Sequence, residues 1–219
     1  CLMSAIFRRE LRAFFTNPIG YVVLAVLYAI SGFFFFTYNL GGGSADLSNV
    51  YNSLFMVVLL ALPFLTMRLF SEEKRQKTDQ ALLTAPTGLT GIVLGKFFAT
   101  MLLFVVGLSM TLIFAVVLAA QPNTSVDWML IAGNFSGLLL VGGLIVAIGV
   151  FISSLTESQI VAAIGTIAIS FLLMCIDLLG ALFGNVSWLT SAISFLSITA
   201  RFSDFTAGLI YYDNVIFFL

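Results

Sequence analysis

The sequence predicts an all-α polytopic membrane protein. Hydrophobic residues make up 61% of the 219 positions and charged residues only 9%, whereas a water-soluble domain carries roughly 25% charged residues. About 20 apolar residues in a helix cross a bilayer, so a chain of this length has room for roughly six crossings with short loops. We therefore expect a single transmembrane domain that covers residues 1–219.

The chain begins with an amphipathic segment that predicts a helix over residues 4–16. Its apolar side chains recur at helical spacing, and its basic side chains take the opposite side. The apolar residues are Phe7, Leu11, Phe14 and Phe15, and the basic residues are Arg8, Arg9 and Arg12. This pattern is typical of a helix that lies in the membrane interface.

The first two spans are bounded by turn residues and by charge. Asn17-Pro18 ends the interfacial helix, and a span over residues 19–38 continues to a glycine-rich turn at residues 41–44. A second span, residues 51–67, returns the chain to a charged segment over residues 68–88.

Two further spans follow the charged segment. Residues 96–120 form the third, which the loop Gln121-Pro122-Asn123-Thr124 ends, and residues 128–152 form the fourth. Both are long enough to cross a bilayer.

The last part of the chain predicts a fifth span and then broken structure. Thr156 with Gln159 has the spacing of a capping box and precedes a span over residues 160–179. Ser, Thr and Asn interrupt the apolar pattern over residues 181–200, which predicts outer re-entrant or surface helices, because polar backbone at membrane depth needs cover from protein or water. Residues 211–219 predict the start of a sixth span that this sequence does not complete.

The basic residues divide unequally between the two sides of the predicted membrane. Eight of them fall on the side of the N-terminus, namely Arg8, Arg9, Arg12, Arg68, Lys74, Arg75, Lys77 and Lys96. Arg201 alone falls on the other side. Because basic loops stay in the cytoplasm, we expect a cytoplasmic N-terminus.

The composition excludes several classes of function. The chain has no histidine and two distant cysteines, so we expect no metal site and no acid–base pair. A net charge of −1 argues against nucleic acid as a partner. Gly95-Lys96 does not form a Walker A loop, since Thr90 and Phe97 stand where that loop requires glycine and Ser or Thr. We expect no enzymatic activity in this chain, and we expect Lys96 to anchor the third span at the headgroups.

Ionisable residues inside the spans commonly mark a transport pathway. The predicted spans carry none near the midplane, and Asp177 falls near the outer end of the fifth. Asp177 is therefore either a solvated interfacial carboxylate or part of an outer gate or substrate site.

The charged segment predicts a cytoplasmic helix from Ser71 to Leu83. Seven charged residues lie between Arg68 and Asp79. Helical spacing predicts ion pairs of Glu73 with Lys77 and of Glu72 with Arg75, and Leu82 and Leu83 give the helix an apolar edge. The residues by themselves leave open whether this helix merely joins two spans or is a working part.

Four stretches occur in an order that resembles a known family. They are Asn17-Pro-Ile-Gly-Tyr21, the run that begins Ser71-Glu-Glu-Lys-Arg75, Ile92-Val-Leu-Gly-Lys96 and Arg201-Phe-Ser-Asp-Phe205. Over essentially its whole length the chain resembles type-2 ABC-transporter permeases, in particular those of gliding-motility and nitrous-oxide clusters.

The resemblance implies a six-span half of an ABC exporter in the inner membrane of a prokaryote. Such a subunit pairs with a second permease subunit and docks on a separate ATPase, which would hold ATP and Mg²⁺, so the chain itself needs no cofactor. The docking surface would be the interfacial helix, with Arg8, Arg9 and Arg12, and the charged segment. The implied ATPase-coupling residues are Glu72, Glu73, Lys74, Arg75, Thr78, Leu82 and Leu83.

The resemblance also suggests a pathway and a class of cargo. The candidates for a pathway or an outer gate are Phe33, Phe36, Asn134, Ser136 and Asp177. A pathway without charged rings would suit a lipid-like or amphipathic cargo in a lipid membrane. Two alternatives stay open, namely the membrane subunit of an ATPase-powered mechanical or assembly complex, and a secondary transporter.

Overall fold

The computed structural model describes residues 2–77, 88–121, 126–182, 197–209 and 212–218, and the regular structure in these residues is helical. The helices are α1 (Leu2–Thr16), α2 (Pro18–Phe35), a π-helical turn (Phe36–Leu40), α3 (Ser48–Thr66), α4 (Arg68–Arg75), α5 (Leu89–Ala119), α6 (Trp128–Leu155), α7 (Gln159–Leu182), α8 (Ile198–Thr206) and α9 (Tyr212–Phe218).

Five helical segments among the described residues are long and apolar enough to cross a membrane. They are Pro18–Leu40, Ser48–Arg75, Thr90–Ala119, Trp128–Leu155 and Gln159–Ile176. The predicted all-α polytopic fold is confirmed. The sixth span and the outer re-entrant helices stay predictions, because residues 183–196 lie outside the described part of the chain and α9 has seven residues.

The two ends of the helix bundle differ in chemistry. At one end, here called the charged end, α1 and α4 meet the first turns of α5 and the last turn of α6. At the opposite end, here called the far end, Ser48 at the start of α3 donates a hydrogen bond to the Thr206 carbonyl of α8 at 3.4 Å. The chain therefore alternates between the two ends from α2 to α7.

α6 lies at the centre of the bundle, where it contacts α3, α4, α5, α7, α8 and α9. Glycine allows this at several close approaches, among them one to α3 and one to α5. A Cβ at Gly149 would overlap the Thr66 side chain of α3, and a Cβ at Gly142 would overlap the Phe104 ring of α5. Small residues let helix backbones approach closely where lipid offers no hydrophobic drive for association.

Buried polar contacts and aromatic stacking join the remaining spans. The Tyr51 hydroxyl of α3 donates to Thr111 Oγ1 of α5 at 2.9 Å. Between α2 and α5, the rings of Phe35 and Phe114 stack with centroids 4.4 Å apart. Inside a membrane, where water is excluded, such pairs fix the rotation of one helix against its neighbour.

Candidate functional site

α4 continues α3 at the charged end of the bundle. The two helices are separated by Met67 alone, whose amide donates to the Pro63 carbonyl at 2.9 Å. Proline inside α3 removes one amide donor from the helix just before this break. A displacement of α4 therefore acts directly on the end of α3.

The Lys96 side chain of α5 is buried beside α4, with 1% of its surface exposed. Its ammonium lies 2.9 Å from Glu73 Oε2 and 3.5 Å from Glu10 Oε1. It also donates a hydrogen bond to the Leu69 carbonyl and lies 4.6 Å from the centroid of the Phe70 ring. A buried ammonium requires such partners, because removing it from water without them costs several kcal/mol.

This position corrects the expectation that Lys96 anchors its span at the headgroups. Long basic side chains extend to the headgroups when nothing inside the protein pairs with them. Here α1 packs against α5 and α4 lies beside it, so two carboxylates meet the ammonium within the protein.

Arg9 completes a cluster of two cations and two carboxylates. Its Nη2 lies 2.7 Å from Glu10 Oε1 and 2.6 Å from Glu73 Oε1. Burial by itself lowers the pKa of the Arg9 guanidinium, but the hydrogen bonds and charges of Glu10 and Glu73 outweigh it and raise that pKa above its usual value. Arg9, Glu10, Glu73 and Lys96, here called the charge cluster, join α1, α4 and α5.

The predicted ATPase-coupling residues differ in orientation and in partners. Glu73 faces inward and belongs to the charge cluster, whereas Glu72 forms a pair with Arg68 at 3.0 Å. Arg75 is exposed and Lys74 is half-buried. Thr78, Leu82 and Leu83 lie outside the described residues.

Neither ion pair predicted for the charged segment forms. Glu73 pairs with Lys96 and Arg9 instead of Lys77, and Glu72 pairs with Arg68 instead of Arg75. Within α4, Glu72 takes Arg68 one turn earlier as its partner, and for Glu73 the physical reason is the end of α4 at Arg75. Lys77 takes a left-handed backbone conformation (φ 55°), which removes its side chain from the turn above Glu73.

The other predicted interfacial residues lie on the outside of α1. Arg8 and Arg12 are exposed, as is Phe15 of the predicted apolar face. Phe14 is buried in the core. One face of α1 therefore packs on protein, whereas the sequence pattern predicted that the helix lies in the membrane interface.

The four predicted pathway residues whose side chains the structure describes differ in burial and share no hydrogen bond with one another. Phe33 near the end of α2 and Phe36 at the start of the π-helical turn are about two-thirds exposed. Asn134 is fully buried and donates to the Leu130 carbonyl and to Ser48 Oγ. Ser136 donates to the Gly133 carbonyl of its own helix. The side chain of Asp177 lies outside the described residues.

Three participants at the charged end are absent from the predicted sites. Glu10 stands among arginines on α1, Lys96 is the single charged residue near the start of an apolar span, and Ser153 of α6 contacts the break between α3 and α4. A lone lysine at the start of an apolar run either extends to the headgroups or pairs with a buried anion, so the sequence of Lys96 carried a signal for both. A serine near the end of a span carries no comparable signal.

The contacts at this end hold helices together. Within the described part of the chain, no group of three or more His, Cys, Asp or Glu residues could hold a metal ion. The paired charges and shared backbone contacts hold α1 and α4 on α5, and they leave the tip of α4 open to solvent, with Arg75, Gln76 and Lys77 exposed.

Comparison with protein families gives a match over most of the chain. A family model described as ABC-2 family transporter protein matches residues 4–210. No curated protein and no solved structure shows a significant match to the chain.

Proposed function

Since the chain belongs to the ABC-2 family of transporter proteins, we propose that it is an exporter permease that docks its ATPase through α1 and the tip of α4 and moves an amphipathic cargo. Membership in the family makes the chain a multi-pass permease of an ABC transporter, with the ATP-binding cassette in a partner. The docking surface, the cargo and a second permease subunit are parts of the proposal.

The observation that carries the proposal is the way in which α4 is held. Its inner side is fixed by the charge cluster, while Arg75, Gln76 and Lys77 at its tip are exposed. A rigid helix with an open basic tip suits a partner with an acidic recess, because complementary charge guides and orients docking. In this arrangement the charged end is cytoplasmic, and the partner holds ATP and Mg²⁺.

Motion would pass from the ATPase to the spans through the same helix. α4 follows α3 after one residue and is paired with Lys96 of α5. A movement of α4 on ATP binding is then a movement of two spans, which is the hinge or shear change expected of a transporter with two states.

The surface of the bundle offers support for an amphipathic cargo. An apolar groove of about 540 Å³ lies between α2 and α3 and is lined by no charged residue. It extends from Pro18 and Met67 at the charged end to Ile30 and Val57. From Pro18 to Ile30 the helix rises about 18 Å, somewhat more than half of the roughly 30 Å hydrocarbon core of a bilayer. One acyl chain of the cytoplasmic leaflet fits this length.

The permease function is tested by purifying the complex in mild detergent. We expect a stoichiometric partner with a Walker A motif whose ATPase activity changes when this chain is removed. Purification without such a partner would contradict the proposal. ATPase activity without flux of any amphiphile in vesicles would favour the mechanical or assembly complex.

The cargo is tested by filling the groove. Leu60→Trp places an indole in the groove, whereas Ile113→Trp changes a residue of similar exposure on α5 that does not line it. In vesicles that contain the ATPase partner, we expect Leu60→Trp alone to reduce transport of a fluorescent phospholipid. Equal transport by both variants would contradict a cargo role, as would loss of permease pairing in Leu60→Trp, which would assign the groove to the second subunit.

A further inference from the structure

The first turn of α4 requires hydrogen-bond acceptors that its own sequence does not supply. The first amides of a helix have no carbonyl partners in a preceding turn, and Ser, Thr, Asp or Asn before the helix usually accepts from them. Met67 occupies that position in α4 and makes no side-chain capping bond. Near a membrane these donors cannot rely on water.

Ser153 of α6 supplies the missing acceptor from another helix. Its Oγ accepts hydrogen bonds from the amides of Phe70 at 3.1 Å and of Ser71 at 3.2 Å, and it donates to the Met67 carbonyl at 3.1 Å. A serine hydroxyl has one donor and two acceptor sites, so all three are used. Ser153 is fully buried, and so is Ser71.

The same face of α6 is fixed one turn earlier. Gly149, four residues before Ser153, lies against the Thr66 side chain at the end of α3, where a Cβ would overlap. The end of α3 and the start of α4 therefore both contact α6 directly. At Gly149 there is no room for a larger side chain between the helices.

We propose that Ser153 is a positioning residue that fixes the base of α4 to α6 and passes movement of α4 to the fourth span. This inference rests on the proposed docking of the ATPase at α4. The Leu69 carbonyl accepts from Lys96 of α5, and the amides of Phe70 and Ser71 donate to Ser153 of α6. Three consecutive residues of α4 thus bond to two different spans, so α5 and α6 move together with α4.

The chain contains a matched control for this role. Ser154 is the next residue of α6, and its hydroxyl donates to the Phe151 carbonyl of the same helix at 2.6 Å. Ser153→Ala and Ser154→Ala therefore remove the same atom from adjacent positions. Only the first removes contacts between α6 and α4. The charge cluster, which Ser153 does not touch, keeps α4 on α5 in both variants.

The experiment compares the two variants in the complex with its ATPase in lipid vesicles. For Ser153→Ala we expect normal assembly and basal ATPase activity, with transport per ATP hydrolysed reduced about fivefold or more, the range of a typical coupling energy. Ser154→Ala should behave as the unchanged protein. Equal transport per ATP in both variants would overturn the proposal, because a merely structural serine could lower yield without changing this ratio.

Hydrogen exchange gives a second readout that does not depend on the ATPase. The amides of Phe70 and Ser71 should exchange about fivefold faster in Ser153→Ala, as expected for the loss of a bond worth about 1 kcal/mol, and unchanged exchange would overturn the contact. If Ser153→Ala does not fold, Ser153→Cys keeps the size and a weak donor and is expected to show a smaller loss in the same ratio. A normal ratio in Ser153→Cys together with normal exchange would also count against the proposal. If the protein purifies without an ATPase partner, the proposed function fails, while the exchange result still decides whether Ser153 holds α4.

Discussion

Lys96 and Glu73 meet inside the protein, with the ammonium nitrogen of one 2.9 Å from a carboxylate oxygen of the other. Lys96 belongs to α5 and Glu73 to α4, so this contact joins a membrane span to the charged helix outside it. Exposed ion pairs contribute about 0 to 1 kcal/mol, but here the ammonium is withdrawn from water. The free energy of unfolding should therefore depend strongly on each partner.

Removal of the Lys96 charge is the first prediction. Lys96→Met keeps the length of the side chain but leaves Glu10 and Glu73 close together with Arg9 as their remaining cation. Breaking a buried pair at one partner costs about 3 to 5 kcal/mol, and we expect about 3 kcal/mol because both carboxylates keep some contact with solvent. Reversible unfolding in mixed micelles measures this cost.

A double variant separates the loss of the pair from the loss of packing. In Lys96→Met with Glu73→Gln, the uncompensated carboxylate is also gone, so we expect recovery of about 1 kcal/mol relative to Lys96→Met alone. Arg8→Gln, at an exposed position of α1, is the control and should leave stability unchanged. If the losses in unfolding free energy of Lys96→Met and Glu73→Gln sum to the loss of the double variant, the two residues do not interact.

Charge reversal should distinguish the adjacent glutamates of α4. Glu73→Lys places a second cation beside the buried Lys96 and should lower yield and stability markedly. Glu72→Lys disturbs a partly exposed pair with Arg68 and should cost less than about 1 kcal/mol. Thermal unfolding of the two purified variants gives the comparison, and similar behaviour would contradict the inward orientation of Glu73.

The charged sequence by itself suggests that Glu72 and Glu73 both lie on the surface. If both glutamates lay on the surface, reversing both would leave the fold intact. That expectation applies to Glu72 and not to Glu73, because Glu73 lies between Lys96 and Arg9.

The fold was predictable because its signals are local. Apolar runs of bilayer length and the turn-forming sequences at residues 41–44 and 121–124 depend on neighbouring residues alone, and they predict the positions of the five long helices. The interfacial amphipathic pattern of α1 is likewise local.

The site was only partly predictable because its contacts are distant in sequence. Helical spacing correctly places Glu72 and Glu73 on a helix, but it assigns them partners one turn away, whereas Glu73 finds Lys96 on another span. That pairing depends on how α1 packs against α5 and on how α6 and α7 hold α4 beside it. Ser153 acts on the α4 backbone, and a serine side chain in a span gives no sign of the helix that it will meet.

The close approach of α3 and α6 supports a third prediction. Gly149→Val would force its side chain against Thr66, so we expect a loss of about 3 kcal/mol or a failure to express. Gly32→Ala in α2 is the control, since its Cβ would meet nothing within 4 Å and alanine favours helix by up to about 1 kcal/mol. Unfolding in mixed micelles measures both, and a fully stable Gly149→Val would contradict this packing.

The last prediction concerns Arg201, the one basic residue of the sequence that lies on the predicted outer side. Its Nη1 donates to Asn214 Oδ1 at 2.9 Å, and Asn214 Nδ2 donates to Asp204 Oδ2 at 2.9 Å. The guanidinium carbon also lies 4.4 Å from the centroid of the Phe217 ring. Arg201 thus joins α8 to α9, which explains a cation on that side by structure rather than by orientation in the membrane.

Arg201→Lys should release α9 although it keeps the charge. Lysine cannot reproduce the planar donor group that bonds Asn214 while it stacks on Phe217, so we expect a cost of about 1 to 2 kcal/mol and faster hydrogen exchange across Tyr212–Phe218. Asp213→Asn is the control, because Arg201 contacts the backbone carbonyl of Asp213, which that change leaves in place. Exchange in α9 that is unchanged in Arg201→Lys would mean that the apolar contact of Phe218 with Phe205 is sufficient to hold the two helices together.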